Sequence, residues 1–165
     1  MSDKFLLDSS ILISASKAYF PFDIAPSFWN QLVEKGLSGM VVFSDEVKKE
    51  IYKQQDELTN WLTANEENFQ EIKSSDSKVV NCYSDVINSV AKDQIYRETA
   101  KREFAMVADS WLIATAIAYG LVVVTNETYE EACKKSVKIP NVCKVHQVKC
   151  IDLMQFLRTT GFLFP

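Results

Sequence analysis

Four acidic residues stand where a carboxylate could do chemistry. Asp8 ends the apolar run Phe5-Leu6-Leu7. Glu127 lies just past the run Leu121-Val122-Val123-Val124. Asp109 opens an otherwise apolar segment, and Glu50 follows a second apolar run at 40–43. Carboxylates converging in one cleft repel each other, so the arrangement makes physical sense when hard divalent cations sit between them. Mg²⁺ takes oxygen ligands, commonly one or two carboxylates plus waters and substrate phosphates, and Mn²⁺ suits the same donors. Such an ion can generate hydroxide and stabilise an in-line displacement at phosphorus. Taken singly, each acid is more simply a helix cap or a dipole partner. The set says more than its members. An Asp following an apolar strand and an Asp beginning an apolar helix both occupy costly places for unpaired charge.

The elements that must position these acids follow from the pattern. Residues 4–7 read as a buried strand, after which Ser9 and Ser10 offer caps for a helix over 11–18. Phe28, Leu32 and Val33 fall on one face of a helix over 26–35, closed by Gly36 and Gly39. Residues 40–43 read as a second strand. Ser44 caps the helix after it, where Val47 and Ile51 share one face and Glu46 and Glu50 another. Leu58, Trp61 and Leu62 suggest a short helix. The polar stretch 65–78 reads as loop or weak strand, and 79–104 as helix with a break near Asp93. Residues 108–120 are nearly all apolar, a helix packed on a sheet and ended by Gly120. Residues 121–124 form a β-branched strand. Ile139-Pro140-Asn141 reads as a turn, 148–151 as a last strand and 152–159 as a last helix. Continuous apolar strands alternating with helices indicate an α/β fold with a central parallel sheet of four to five strands. Ligands of such sheets bind beyond the carboxyl ends of the strands, which is where the acids fall.

Composition bounds the function. The chain has 165 residues, 47 % of them apolar, enough for one domain over 1–165. No apolar run is long enough to span a bilayer and the N-terminus lacks a signal-peptide pattern, so the expectation is a cytoplasmic protein without a membrane partner. Eighteen Lys and Arg against 22 Asp and Glu give a net charge of −4. Nucleic acid must therefore meet a local patch or be held through a cation.

At this point the sequence resembles a family. FLLDSSILISA, DEVKKEI, ADSWLIATAIAYG and LVVVTNET are similar to the four signature blocks of PIN-domain proteins, in the same order. YFPFDIAPSFWNQLVEKG, KIPNVC and CIDLMQFLR resemble a bacterial and archaeal PIN-like subfamily of largely unassigned function. The resemblance covers nearly the whole chain. It implies a parallel sheet wrapped by helices and a metal-dependent ribonuclease using Mg²⁺ or Mn²⁺. Many family members are toxins of toxin–antitoxin pairs, which implies an RNA substrate and an antitoxin protein as partner; homodimers are common. Residue by residue, the family's acids match Asp8, Glu50 in VKKEI and Asp109 in DSWLIA, with Glu46 the weaker alternative to Glu50. The fourth acid commonly appears as Thr-x-Asp. Here it is Thr125-Asn126-Glu127, so either Glu127 or the neutral oxygen of Asn126 completes the set. Ser10, Thr125 and Asn126 match positions that support the acids.

Other constellations carry less. Cys133, Cys143, His146 and Cys150 could suit zinc, but they lack a C-x2-C knuckle, and buried thiols beside a surface His are the simpler reading. No Gly-rich phosphate loop occurs. The lysines and arginines at 92–102 and 134–149 read first as solvated faces and second as an RNA track. Trp29, Trp61 and Trp111 read as core, with Trp111 placed to border the cleft instead. Two rivals remain: a non-catalytic PIN-like module binding RNA or protein, and a phospho-acceptor signalling domain. The second fits poorly, since Lys149 makes a poor essential lysine and 19–36 would have no role.

Overall fold

The apolar runs become the strands of a five-stranded, wholly parallel sheet in the order β3-β2-β1-β4-β5 in the computed structural model, which describes residues 2–165. β1 is Phe5–Leu7, β2 Val41–Ser44, β3 Gln70–Ile72, β4 Val122–Val124 and β5 Cys150–Ile151. Every residue of β1, β2 and β4 is buried, as central strands covered on both faces require. β3 is an edge strand in which Gln70 and Glu71 are exposed and only Ile72 is buried. That is why its stretch reads as polar in sequence.

Helices fill the crossovers. α1 is Ser9–Ser14, continued by a π-helical turn over Ala15–Tyr19; α2 is Pro26–Leu37. α3 (Asp45–Gln54) and α4 (Glu57–Asn65) link β2 to β3. α5 (Ser77–Lys92), α6 (Glu98–Met106) and α7 (Ala108–Tyr119) link β3 to β4. α8 is Ile139–Val145 and α9 Leu153–Thr160. From β1 the chain steps outward through β2 to β3, then returns across β1 to β4 and β5. With right-handed crossovers this reversal puts α2 and α4 on one face of the sheet and α5, α7 and α8 on the other. On the first face Phe28 packs on Phe162 and Trp29 on Trp61, with ring centroids 5.5 and 4.8 Å apart, while Phe156 of α9 meets Phe5 at 5.4 Å. On the second, Trp111 of α7 stacks on Tyr83 of α5 at 3.7 Å, so it locks two helices together rather than bordering the cleft.

Several local expectations are corrected. The first helix begins at Ser9, with Asp8 in the cap position, because the Ser9 and Ser10 hydroxyls are directed to carboxylates and not to free amides. Gly36 lies inside α2 and does not end it. A Cβ there would come within 2.4 Å of the Phe69 ring, so the glycine buys close approach of helix to β3, and Gly39 at φ +78° makes the turn. Ile139-Pro140-Asn141 is the first turn of α8 and not a free turn: proline's fixed φ and missing N–H suit the start of a helix. The helix break near Asp93 spans 93–97, between α5 and α6. Among the described residues no helix is long and apolar enough to cross a membrane.

Candidate functional site at the carboxyl edge of the sheet

The strand order reverses between β1 and β4, which pair with Leu7 opposite Val124. This is the switch point where a parallel sheet opens a crevice beyond its strand ends. Asp8 follows β1 directly and is only 4 % exposed. Its amide donates to the Val124 carbonyl at 2.9 Å, so β-pairing itself fixes where the side chain starts. One carboxylate oxygen, Oδ2, accepts the Ser10 hydroxyl at 2.5 Å and the buried Thr125 hydroxyl at 2.9 Å. Thr125 Oγ1 also accepts the Glu127 amide at 3.2 Å. A single threonine thus ties the ends of β1 and β4 together and sets the path of the chain into Glu127.

Two more acids arrive from helices, and Glu127 from the loop that follows β4. Glu50 sits in α3, a helix held by Val47 and Ile51 in the core and capped by Ser44, whose Oγ accepts the Glu46 amide. Its carboxylate accepts the Ser9 hydroxyl from α1. Asp109 is in the first turn of α7, the helix whose buried face from Leu112 to Ala116 presses on the sheet. Glu127 spends Oε2 on the Ile139 amide at 2.7 Å, capping α8.

These placements bring Asp8, Glu50, Asp109 and Glu127 within electrostatic reach of one another. Burial pushes the Asp109 carboxyl up to about 7, and Asp8, Glu127 and Glu50 push in the same direction. Burial also raises Glu127, assisted by Asp8 and opposed by the Ile139 amide and Lys138. Glu46 faces elsewhere. Burial would raise its carboxyl, but hydrogen bonds from Lys49 and Ser74 outweigh it and hold the group below the ordinary range. Asn126 is exposed, while Glu127 is half-buried toward the other acids.

The donor set is all oxygen: four carboxylates with two serine hydroxyls and a threonine hydroxyl behind them. That chemistry fits a hard divalent cation, and the raised Asp109 marks a place short of positive charge. Among the described residues no three His, Cys, Asp or Glu side chains already close on one point. Glu50 leans on Ser9 and Glu127 on α8, so drawing them inward requires a counter-charge to overcome their repulsion.

Sequence reasoning missed two parts of this arrangement. Ser9 was readable only as a cap, although its place beside Asp8 in the first turn of α1 also turns it toward α3. The Ile139 amide carries no side-chain signal; only the start of a helix there would have exposed it. Members of the cysteine set have other partners. His146 Nε2 lies 2.9 Å from the Ser89 hydroxyl and Cys133 Sγ 3.6 Å from that of Ser136.

Residues 5–164 match the family model described as a domain of unknown function, DUF4411. No curated protein matches the chain in sequence. Solved structures match it in fold. VapBC2 from Rickettsia felis, bound to a DNA fragment from their promoter, is 14 % identical with a TM-score of 0.57 over 90 % of this chain and 97 % of that one. DNA-bound VapBC from Salmonella typhimurium is 18 % identical, with a TM-score of 0.55 over 92 % and 98 % of the two chains. FitAcB from Neisseria gonorrhoeae is 19 % identical, with a TM-score of 0.51 over 89 % and 96 %. At these identities the likeness establishes a PIN-like fold.

Proposed function

The chain belongs to the DUF4411 family and has a PIN-like fold, and on that premise we propose that it is a metal-dependent ribonuclease. Asp8, Glu50, Asp109 and Glu127 would hold Mg²⁺ or Mn²⁺ at the carboxyl edge. The observation that carries this reading is the convergence of four carboxylates at the sheet's switch point, where burial first and the neighbouring acids second push the Asp109 carboxyl up to about 7. A divalent cation there supplies a counter-charge for phosphate oxygens and a water acidic enough to attack phosphorus.

The chain's own residues do the rest. Ser10 and Thr125 fix the Asp8 carboxylate from one side, leaving Oδ1 for a ligand. Ser9 orients Glu50, and the α8 amide orients Glu127 while Oε1 stays available. Asp109 would serve as a carboxylate ligand once a cation offset its burial and the neighbouring acids. No side-chain nucleophile is required.

The PIN-like fold and its likeness to the VapBC and FitAcB structures favour the toxin of a toxin–antitoxin pair, with a small antitoxin protein as partner. A homodimer is compatible with the family. The test is cleavage of single-stranded RNA with Mn²⁺. Asp8→Asn, which keeps the Thr125 and Ser10 contacts within reach, should lower the rate by about a hundredfold or more while the circular dichroism melt persists. Undiminished cleavage in that variant would overturn the assignment. Absence of cleavage in the native chain, with RNA still bound, would favour a non-catalytic binding module.

A further inference from the structure

A cavity of about 570 Å³ opens beside Glu50, between α3 and the junction of α6 with α7. A smaller one, about 180 Å³, lies beyond Val107 and is lined by Asp109, Glu127 and Lys138. Val107 borders both; Glu50 lines the larger, and Asp109 and Glu127 line the smaller. Only the larger is in the size range of a ligand pocket, roughly 300–1,000 Å³.

The larger cavity has two unlike walls. α3 supplies Lys49 and Lys53, which at i and i+4 share one stripe of the helix, together with the carboxylates of Glu46 and Glu50. Lys49 is paired with Glu46 at 2.8 Å. Lys53 makes no ion pair among the described residues; its charge bears on Glu46 without a direct contact, so its ammonium still has donors for an anion. The other wall is the helix junction, where Met106 is 85 % exposed and Val107 41 % exposed. Methionine is polarizable and adaptable, suited to a flat apolar surface of variable shape.

We propose that this cavity takes one unpaired nucleotide of a single-stranded RNA beside the phosphate that is cleaved, with its base against Met106 and Val107 and its backbone phosphate toward Lys53. The inference rests on the ribonuclease reading and adds to it a place for the nucleotide beside the cleaved phosphate. A base reaches such a cavity only when it is splayed out of a helix, so paired RNA is excluded. The net charge of −4 gives no general attraction for phosphate. Affinity therefore comes from few local contacts, and its salt dependence is shallow, about 0.7 in log–log slope for each phosphate neutralised.

The experiment measures binding apart from cleavage. Fluorescein-labelled six-nucleotide RNA, single-stranded or duplex, is titrated with the full chain in Ca²⁺ instead of Mn²⁺, read by anisotropy at several salt concentrations. The single strand should bind at least tenfold tighter than the duplex. Lys53→Glu should weaken it several-fold and reduce the salt slope by about 0.7. Met106→Ser should weaken it several-fold with the slope unchanged. Arg158→Glu, the same charge change on exposed α9, should alter neither. Equal binding of duplex, equal effects of Lys53→Glu and Arg158→Glu, or an indifferent Met106→Ser would each overturn the proposal. The two readings fail separately. Cleavage that requires Asp8 with binding indifferent to Lys53 and Met106 removes the nucleotide cavity alone. Binding that follows Lys53 and Met106 without any cleavage in Mn²⁺ removes the catalytic reading alone.

Discussion

On the α2 face of the sheet, Phe20, Phe28, Trp29, Trp61 and Phe162 stack in a continuous block. The Trp29 indole N–H reaches the Phe20 carbonyl at 2.7 Å, so the block closes without an unmet donor there. At the carboxyl edge of the same sheet, four carboxylates converge, and burial together with the other three pushes the Asp109 carboxyl up to about 7. Each contact in the first region lowers the free energy of the fold. The second region raises it and needs the first as its foundation. The difference teaches where to look for function in this chain: not where packing is best, but where the fold tolerates repulsion.

The largest effect is expected in the aromatic block. Phe28 is fully buried and touches Phe20, Trp29 and Phe162. Phe28→Ala should cost about 3–5 kcal/mol, lowering the melting temperature by roughly 10 °C in a chain of this size. Urea melts of the two proteins measure it. A loss under about 1 kcal/mol would mean that the block is ornamental and the stabilising core lies elsewhere.

Asp109 makes the opposite prediction. Its folded carboxyl sits at about 7, against an ordinary value of 3.8. Below about pH 4 both folded and unfolded chains carry the proton and the group is neutral to stability. Between pH 4 and 7 the unfolded chain loses the proton while the folded site keeps it, so stability falls as pH rises, and above 7 the cost is constant. With about 1.36 kcal/mol per unit, the full cost is on the order of 4 kcal/mol. In EDTA at pH 8, Asp109→Asn should therefore melt higher than the native chain, with the gap closing toward pH 4. Millimolar Mn²⁺ should raise the native melting temperature and the variant's less, because binding only to the folded state stabilises it. A gap that widens at low pH would show that Asp109 is a stabilising cap and not a strained acid.

These two regions were unequally legible in the sequence. The sheet could be read because β1, β2 and β4 are buried on both faces and their strands run apolar without interruption. α7 was legible for the same reason. β3 was legible only as loop or weak strand, since an edge strand exposes Gln70 and Glu71. The start of α8 hid behind Pro140, a residue that ends helices more visibly than it begins them. At the edge, strand ends pointed to Asp8 and Glu127, but the partners of these acids are hydroxyls and one backbone amide. Ser9 and Ile139 hold carboxylates through contacts 41 and 12 residues apart, and such pairings follow from topology, not spacing.

Thr125 sharpens the comparison at intermediate size. Its hydroxyl is buried and joins Asp8 to the Glu127 backbone. Thr125→Val keeps the shape and removes the donor. Loss of a group that orients a ligand typically costs about 10–100-fold in metal affinity. Calorimetry with Mn²⁺ should show that loss with little change in melting temperature. Unchanged affinity would mean that Ser10 alone orients Asp8.

The smallest effects belong to the fourth acid, where two roles must be separated. Glu127 caps α8 through the Ile139 amide and also bears on Asp109. Glutamine keeps an oxygen for that amide and removes the charge. Glu127→Gln should therefore leave stability nearly intact and lower Mn²⁺-dependent cleavage less than Asp109→Asn does, by about tenfold. Glu127→Ala should add a stability loss of about 1 kcal/mol, the usual cost of an empty cap. Asn126 is exposed beside it, and Asn126→Ala should change neither quantity. If Asn126→Ala is the inactive variant and Glu127→Gln is normal, Glu127 is a cap only and the fourth oxygen comes from Asn126. If neither substitution matters while Asp8 and Asp109 do, the repulsion at the edge serves three carboxylates, and Glu127 belongs with the aromatic block among the parts that only hold the fold together.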